Sequence, residues 1–138
     1  MTEENVQEIL ALAISAHRDG NFQEAEKYYT SILNAQPNHA DANHNMGVLA
    51  VQFNKVKLSL PFFRRALDAN DNVLQFWHSY LDALVKEGDR DLGLKVLAEA
   101  KKRGLRSEIY CYYKFRKVHS FPFPGRCSSN CKKFLRIC

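Results

Sequence analysis

Long apolar runs are missing from this chain, and no segment approaches the roughly 20 consecutive apolar residues that a membrane-spanning helix needs. The N-terminus is acidic and polar, with Glu3 and Glu4 following Met1 and Thr2, so it does not resemble a secretory signal. Cysteine is absent from residues 1–105. These absences argue against a transmembrane protein and against a disulfide-stapled secreted fold, and we expect a cytoplasmic location.

Motifs of catalysis are missing as well. The sequence has no phosphate-binding loop, no nucleophile elbow, and no histidine with a positioned carboxylate that its periodic pattern does not already explain. We therefore predict a protein that is not an enzyme and that uses no cofactor and no metal.

The composition divides the chain into two parts. Apolar residues make up 46% and charged residues 25% of the 138 residues, as in an ordinary soluble domain. Residues 1–105 hold 12 Lys and Arg against 14 Asp and Glu, whereas residues 106–138 hold 8 against the single Glu108. All four cysteines and seven of the 16 aromatic residues also lie in that basic tail. The two parts need separate interpretations.

A period of 34 residues runs through the first part. It links Ile32 to Ala66 and Ala100. Three further series keep the same spacing, namely Leu12, Met46 and Tyr80; Ala25, Ser59 and Gly93; and Tyr29, Phe63 and Leu97. A fixed period of this length is typical of stacked supersecondary units, none of which can bury its apolar face alone.

Each period is predicted to contain a helix, a turn, a second helix and a stop. In the first period the apolar stripe of the first helix consists of Ile9, Leu10, Leu12, Ala13 and Ala16, at spacings of three and four. Gly20 closes that helix, a second helix is predicted over about 22–35, and Pro37 stops it.

The pattern repeats over residues 40–73 and 74–105. The turn positions Gly20, Asn54 and Gly88 keep the period, and Asn tolerates the left-handed backbone that Gly supplies elsewhere. Pro61 departs from it. A proline avoids losing a backbone hydrogen bond only in the first turn of a helix, so we expect this helix to begin late or to be kinked.

These residues resemble the tetratricopeptide repeat. The matching positions are Leu12, Gly20, Ala25, Tyr29 and Pro37 in the first unit, Met46, Gly47, Phe63 and Ala66 in the second, and Trp77, Gly88 and Ala100 in the third. The resemblance implies an all-α solenoid, a fragment of a right-handed superhelix, with three repeats at about 6–39, 40–73 and 74–105 and an irregular C-terminal tail over 106–138.

The resemblance also implies a concave binding surface lined by the first helix of each pair. The polar residues it places there are His17, Arg18, Asp41, His44, Asn45, Gln52, Gln75, His78, Ser79, Asp82 and Lys86. They suit an extended peptide or a helix, so we predict a protein–protein interaction scaffold with a protein or peptide partner and no small-molecule substrate. His44 and His78 lie one period apart and would either stack as a pair or remain solvated.

Two alternative functions stay open at this point. The chain would be a truncated N-terminal repeat module of a larger enzyme, such as a glycosyltransferase or a sulfotransferase that carries such repeats. Asn45 is the single residue that matches the concave asparagines of the glycosyltransferase repeats. In the other alternative, the basic aromatic tail associates with nucleic acid or an anionic membrane.

The tail itself allows three structural interpretations. Residues 107–119 form a helix that caps the third repeat and are followed by a disordered segment, or the tail binds a polyanion, or it is a non-native ending. Its potential metal ligands are Cys111, His119, Cys127, Cys131 and Cys138. Their spacing lacks the matched Cys pairs of a zinc knuckle, so the sequence favours reduced thiols.

Overall fold

Six α-helices make up the part of the chain that the structure, a computed structural model, describes, which is residues 1–104. In chain order they are α1 (Glu3–Arg18), α2 (Phe22–Ala35), α3 (Ala40–Gln52), α4 (Val56–Ala69), α5 (Leu74–Glu87) and α6 (Arg90–Lys102). These residues contain no strand, and the all-α prediction is confirmed. The expected capping helix over 107–119 lies outside the described residues.

The helix starts keep the period of the sequence. Phe22, Val56 and Arg90, which open α2, α4 and α6, are 34 residues apart, and so are Ala40 and Leu74, which open α3 and α5. The apolar spacing therefore predicted both the type and the position of these elements.

The turns inside the helix pairs share one backbone conformation. Gly20, Asn54 and Gly88 have φ angles of 81°, 59° and 80°, all in the left-handed region. Glycine enters this region without steric cost, and asparagine is one of the few other residues that tolerate it. The prediction that Asn54 substitutes for glycine in its turn is confirmed.

Pro61 does not delay the helix in which it lies. α4 begins at Val56, in line with α2 and α6, and Pro61 follows in the helix interior. The prediction of a late start is wrong. Pro61 and Lys57, the residue whose carbonyl loses its usual donor, are both exposed, so water can satisfy that carbonyl. The opposite side of α4 buries Phe63 and Ala66, so Pro61 lies on the side of the helix that faces solvent.

Contacts divide the chain into a unit of α1–α5, Met1–Asp89, and a second unit that begins at Arg90 with α6. In the first unit, one cluster of buried residues joins α1, α2 and the start of α3. Its members are Val6, Leu10, Ala13, Ala16, Ala25, Tyr29, Ile32 and Ala42, and Met46 packs against it. The alanines let the helices approach closely around the larger Tyr29 and Ile32. In α6 the buried residues are Val96, Leu97 and Ala100.

Leu12 is an exception to the predicted stripe, because 52% of it is exposed. The equivalent residue of α3, Met46, packs against the core of the first helix pair, and the equivalent residue of α5, Tyr80, is buried. In the described residues α1 packs mainly against α2, and Leu12 lies on the side of α1 that this contact leaves open. The expectation that Leu12 belongs to the buried stripe is wrong.

Asn43 and Trp77 make equivalent hydrogen bonds one period apart. Asn43 Nδ2 donates to the carbonyl of Pro37 at 2.9 Å, and Trp77 Nε1 donates to the carbonyl of Asp71 at 2.8 Å. In both cases the acceptor lies six residues earlier, in the segment before the helix. Asn43, which is fully buried, also donates to the carbonyl of His39. A small amide thus holds the α2–α3 connection as the indole holds the α4–α5 connection.

Candidate functional site

The predicted site residues all lie on α1, α3 and α5, within the unit Met1–Asp89, and we call the residues at these registers the first-helix face. Four apolar side chains share this face at the same registers, namely Ile14, Val48, Val51 and Val85. Ile14 and Val85 are exposed, and Val48 and Val51 are half-buried. The face therefore combines aliphatic surface open to solvent with hydrogen-bonding side chains.

His17 connects α1 to α3. Its Nε2 lies 2.8 Å from Oε1 of Gln52, which is in the last turn of α3, so the imidazole donates to the amide oxygen. Its Nδ1 lies 3.4 Å from the hydroxyl of Tyr29, and the ring packs edge-on against Phe22 and Tyr29. These contacts fix the imidazole between two helix pairs. The structure therefore brings together two of the predicted site residues, His17 and Gln52.

His44 connects α3 to α5 in a similar way. Its Nε2 lies 2.8 Å from Oγ of Ser79, and the Nε2 amide group of Gln75 reaches the same hydroxyl at 3.5 Å. The ring stacks on Phe76, with centroids 4.7 Å apart and an angle of 27° between the planes. Three more predicted residues, His44, Gln75 and Ser79, thus form one cluster.

His44 is only 9% exposed, so neither expectation for its ring is met. It is not a solvated surface histidine, and its stacking partner is Phe76 rather than His78. Burial lowers the pKa of His44 below its ordinary value of 6.5, because a charged ring would lose its hydration, and the carboxylate of Asp41 opposes this effect in part. The lowered pKa favours the neutral imidazole, whose Nε2 can accept a hydrogen bond from the Ser79 hydroxyl.

The lowered pKa of His44 predicts a stability that falls as the pH falls. The unfolded chain takes up the proton near pH 6.5, and the folded chain takes it up only at a lower pH, so folding loses stability below about pH 6.5. We expect the urea midpoint of the wild type to fall more between pH 7 and pH 5.5 than that of His44→Gln. Leu58→Gln, at an exposed position of α4, is the control and should show the same fall of the urea midpoint as the wild type. An equal fall of the urea midpoint in the wild type and in His44→Gln would contradict the assignment of this pH dependence to His44.

The remaining predicted site residues differ in how far their side chains are exposed to solvent. Arg18, Asp41 and Lys86 are exposed, whereas Asn45, His78 and Asp82 are half-buried. Arg18 and Lys86 occupy the last turns of α1 and α5, where a cation is favourably placed in the field of the helix. The C-terminal ends of these two helices therefore give the face basic ends, and Asp41 gives α3 an acidic start.

Sequence reasoning missed Phe76, which supports His44, and Phe22 and Phe53, whose rings pack edge-on 5.4 Å apart next to His17. A spacing of 35 was the available signal. His17 and Gln52 are 35 residues apart, and so are His44 and Ser79. In both pairs, the residue on one first helix contacts the residue that lies one position beyond its own equivalent on the following first helix. The 34-residue period alone does not predict these pairs.

Two searches of residues 1–104 found nothing. None of the six helices is long and apolar enough to cross a membrane. No group of three or more His, Asp and Glu side chains comes together there in a way that would hold a metal ion. The cysteines, His119 and the basic tail all lie outside the described residues.

Comparison with known proteins yields a match of fold. No family model and no curated protein sequence matches the chain. Forty chains of solved structures match it, among them that of the "MamA RS-1 ArsTM double mutant", with a TM-score of 0.68 over 85% of this chain. The fold is tetratricopeptide-like. At 16% sequence identity the likeness concerns the fold alone, and this chain spans 66% of the length of that one.

The tetratricopeptide-like fold agrees with the resemblance seen in the sequence.

Proposed function

We propose that the protein is a non-catalytic interaction scaffold that binds a peptide or a helix on its first-helix face. The observation that carries this proposal is the aliphatic row of Ile14, Val48, Val51 and Val85, which stays partly open to solvent among fixed polar groups. Aliphatic surface supplies affinity, and oriented hydrogen-bonding groups beside it supply selectivity.

The contacts of His17 and His44 support a preorganised face. His17 is bonded to Gln52 across α1 and α3, and His44 is bonded to Ser79 across α3 and α5. A face whose side chains are already ordered loses less conformational entropy when a partner binds. In this proposal the three first helices belong to three repeats and the face lies on the concave side of the array.

The roles of individual residues in the proposal follow from their exposure. Asn45, His78 and Asp82 are accessible enough to touch a partner, and Arg18 and Lys86 would meet acidic groups of that partner. His44 holds the face together from within. The enzyme-module alternative has no supporting observation in residues 1–104, and the polyanion alternative concerns a tail outside them.

The proposal predicts that exposed polar residues of the face are needed for partner capture. We expect the triple variant Asn45→Ala, His78→Ala and Asp82→Ala to lose captured partners by about tenfold or more relative to wild type, since binding energy concentrates in few interface residues. The measurement is quantitative mass spectrometry of proteins captured from a lysate on immobilised protein. His44 is left intact because its substitution would disturb packing.

A matched control is available on the outer side of α2. Gln23, Lys27 and Thr30 are exposed there, and their replacement by Ala should leave the captured set unchanged. Circular dichroism and thermal unfolding must show that both triple variants are folded. If the face variant captures the same proteins in the same amounts as the wild type, the binding site lies elsewhere.

A further inference from the structure

His44 joins α3 directly to α5. α4 packs extensively against both of these helices, whereas α3 and α5 meet at few positions. At one of them Nε2 of His44 lies 2.8 Å from Oγ of Ser79, and at another the His44 ring stacks on Phe76, with centroids 4.7 Å apart. Both partners belong to α5. The contact between these two first helices therefore contains a titratable ring.

The surroundings of the His44 ring are mostly uncharged. α4 contributes Phe63, whose ring centroid lies 5.7 Å from that of His44, and α5 contributes the Phe76 ring and the Ser79 hydroxyl. Asp41, one turn earlier on α3, is the charged group that acts on the ring, and its side chain is exposed. A proton on His44 would thus be held between two benzene rings, with one hydrated carboxylate to compensate its charge.

Protonation changes the bonding of His44. With its hydrogen on Nδ1, the neutral ring accepts the hydroxyl hydrogen of Ser79 at Nε2. A second proton, on Nε2, removes that acceptor, and the hydroxyl must turn away. The charged ring also loses hydration at 9% exposure, so burial lowers the pKa of His44 below 6.5, against the smaller effect of Asp41. The closed contact therefore favours the neutral ring.

An opening that moves α5 away from α3 would return His44 to water. The open form takes up a proton near pH 6.5, and the closed form takes it up only at a lower pH, so the free energy of this opening falls as the pH falls below about 6.5. Local openings within the α1–α2 pair leave His44 buried, and their free energy does not change with its protonation. The effect of pH is therefore specific to the junction of α3 and α5.

We propose that His44 is an acid-sensitive clasp of the first-helix face, and that its protonation lets α5 separate from α3. α3 supplies Asn45 and Val48 to this face, and α5 supplies His78 and Val85. Separation of the two helices would divide the face and release a bound partner at low pH. This consequence rests on the function proposed above, whereas the opening itself does not.

The test is amide hydrogen exchange of the full-length protein at pH 7.5 and pH 5.5, expressed as protection factors so that the intrinsic pH dependence of exchange is removed. We expect the protection of α5 to fall by about five- to tenfold over this range, because an open form with an ordinary histidine pKa gains up to about tenfold in population. The protection of α1 and α2 should change by less than about twofold. In His44→Gln, whose side chain does not titrate, the fall in α5 should be lost.

Two further variants make this result specific. Leu58→Gln changes a 61% exposed residue of α4 and should respond to pH like the wild type. Should circular dichroism show that His44→Gln is unfolded, His44→Phe replaces it, since a phenyl ring retains the stacking on Phe76 without a titrating group. An equal fall of protection in α1, α2 and α5 would overturn the proposal, because it indicates global unfolding. A fall in α5 that persists in the His44 variant, or no fall in the wild type, would do so as well.

Release of a captured partner is the second measurement. Proteins captured at pH 7.5 on the immobilised wild type should be released by a step to pH 5.5, and those captured on His44→Gln should be retained. Retention by the wild type would overturn the predicted release, even if α5 opens. If nothing is captured at pH 7.5, the proposed function fails, and hydrogen exchange still decides whether His44 is a clasp.

Discussion

Replacing Trp77 by Ala is expected to lower the free energy of unfolding by about 3–5 kcal/mol, which is the usual cost of removing a large buried aromatic side chain. Trp77 is 1% exposed and is the largest of the fully buried side chains. Its indole also donates a 2.8 Å hydrogen bond to the carbonyl of Asp71, and truncation removes that donor. Domains of this size are stable by roughly 5–15 kcal/mol, so the variant should be at or near the limit of folding.

The measurement for Trp77→Ala is urea unfolding followed by circular dichroism, because Trp77 is the only tryptophan and the variant has no intrinsic tryptophan signal. Trp77→Phe retains most of the ring volume but not the donor, and should lose about 1–3 kcal/mol. Leu58→Ala, at an exposed position of α4, should change stability by no more than about 0.5 kcal/mol. A loss below about 1 kcal/mol in Trp77→Ala would show that the indole is not a core residue.

Replacing Gly47 by Ala is expected to destabilise the protein by about 1–3 kcal/mol, although Ala is the better helix former by about 1 kcal/mol. A Cβ atom at Gly47 would lie 2.6 Å from Cε1 of Phe63, closer than carbon atoms can approach. The Phe63 ring is buried and also contacts His44, so it has little room to move away. α3 and α4 would have to separate to admit one methyl group.

A double-mutant cycle tests the cause. Phe63→Leu shortens the side chain that Gly47→Ala would strike, so in that background the methyl group should cost little or even stabilise the helix. Ala11→Gly, at an exposed position of α1, measures the helix propensity term alone and should lose about 1 kcal/mol. If Gly47→Ala raised stability in the wild-type background, the close approach of α3 and α4 at Phe63 would be wrong.

The periodic and local features of the fold were predictable from the sequence. Apolar spacing placed the helices, and the turns at Gly20, Asn54 and Gly88 followed from which residues tolerate positive φ. These properties depend on residues a few positions apart, so a single sequence contains the information. Pro61 shows the limit of that reasoning, since it lies in the interior of α4 in spite of its own preference for a helix start.

The contacts within the candidate site were not predictable from the sequence, and its position stays a prediction. The resemblance to the repeat family indicated which registers of α1, α3 and α5 share a face. It did not indicate that His44 is buried against Phe76 and bonded to Ser79, or that His17 meets Gln52. These pairs lie 35 residues apart, and their contact depends on how successive helix pairs stack.

The sequence by itself determined the helical repeat of this protein, because the spacing of its apolar residues and the backbone preferences of its turn residues are local properties. Only the tertiary structure decided which side chains of equal register are buried. Leu12, Met46 and Tyr80 occupy one register, yet Leu12 is exposed and Tyr80 is buried. Burial at that register depends on whether another helix pair packs there, and the identity of the residue does not determine this.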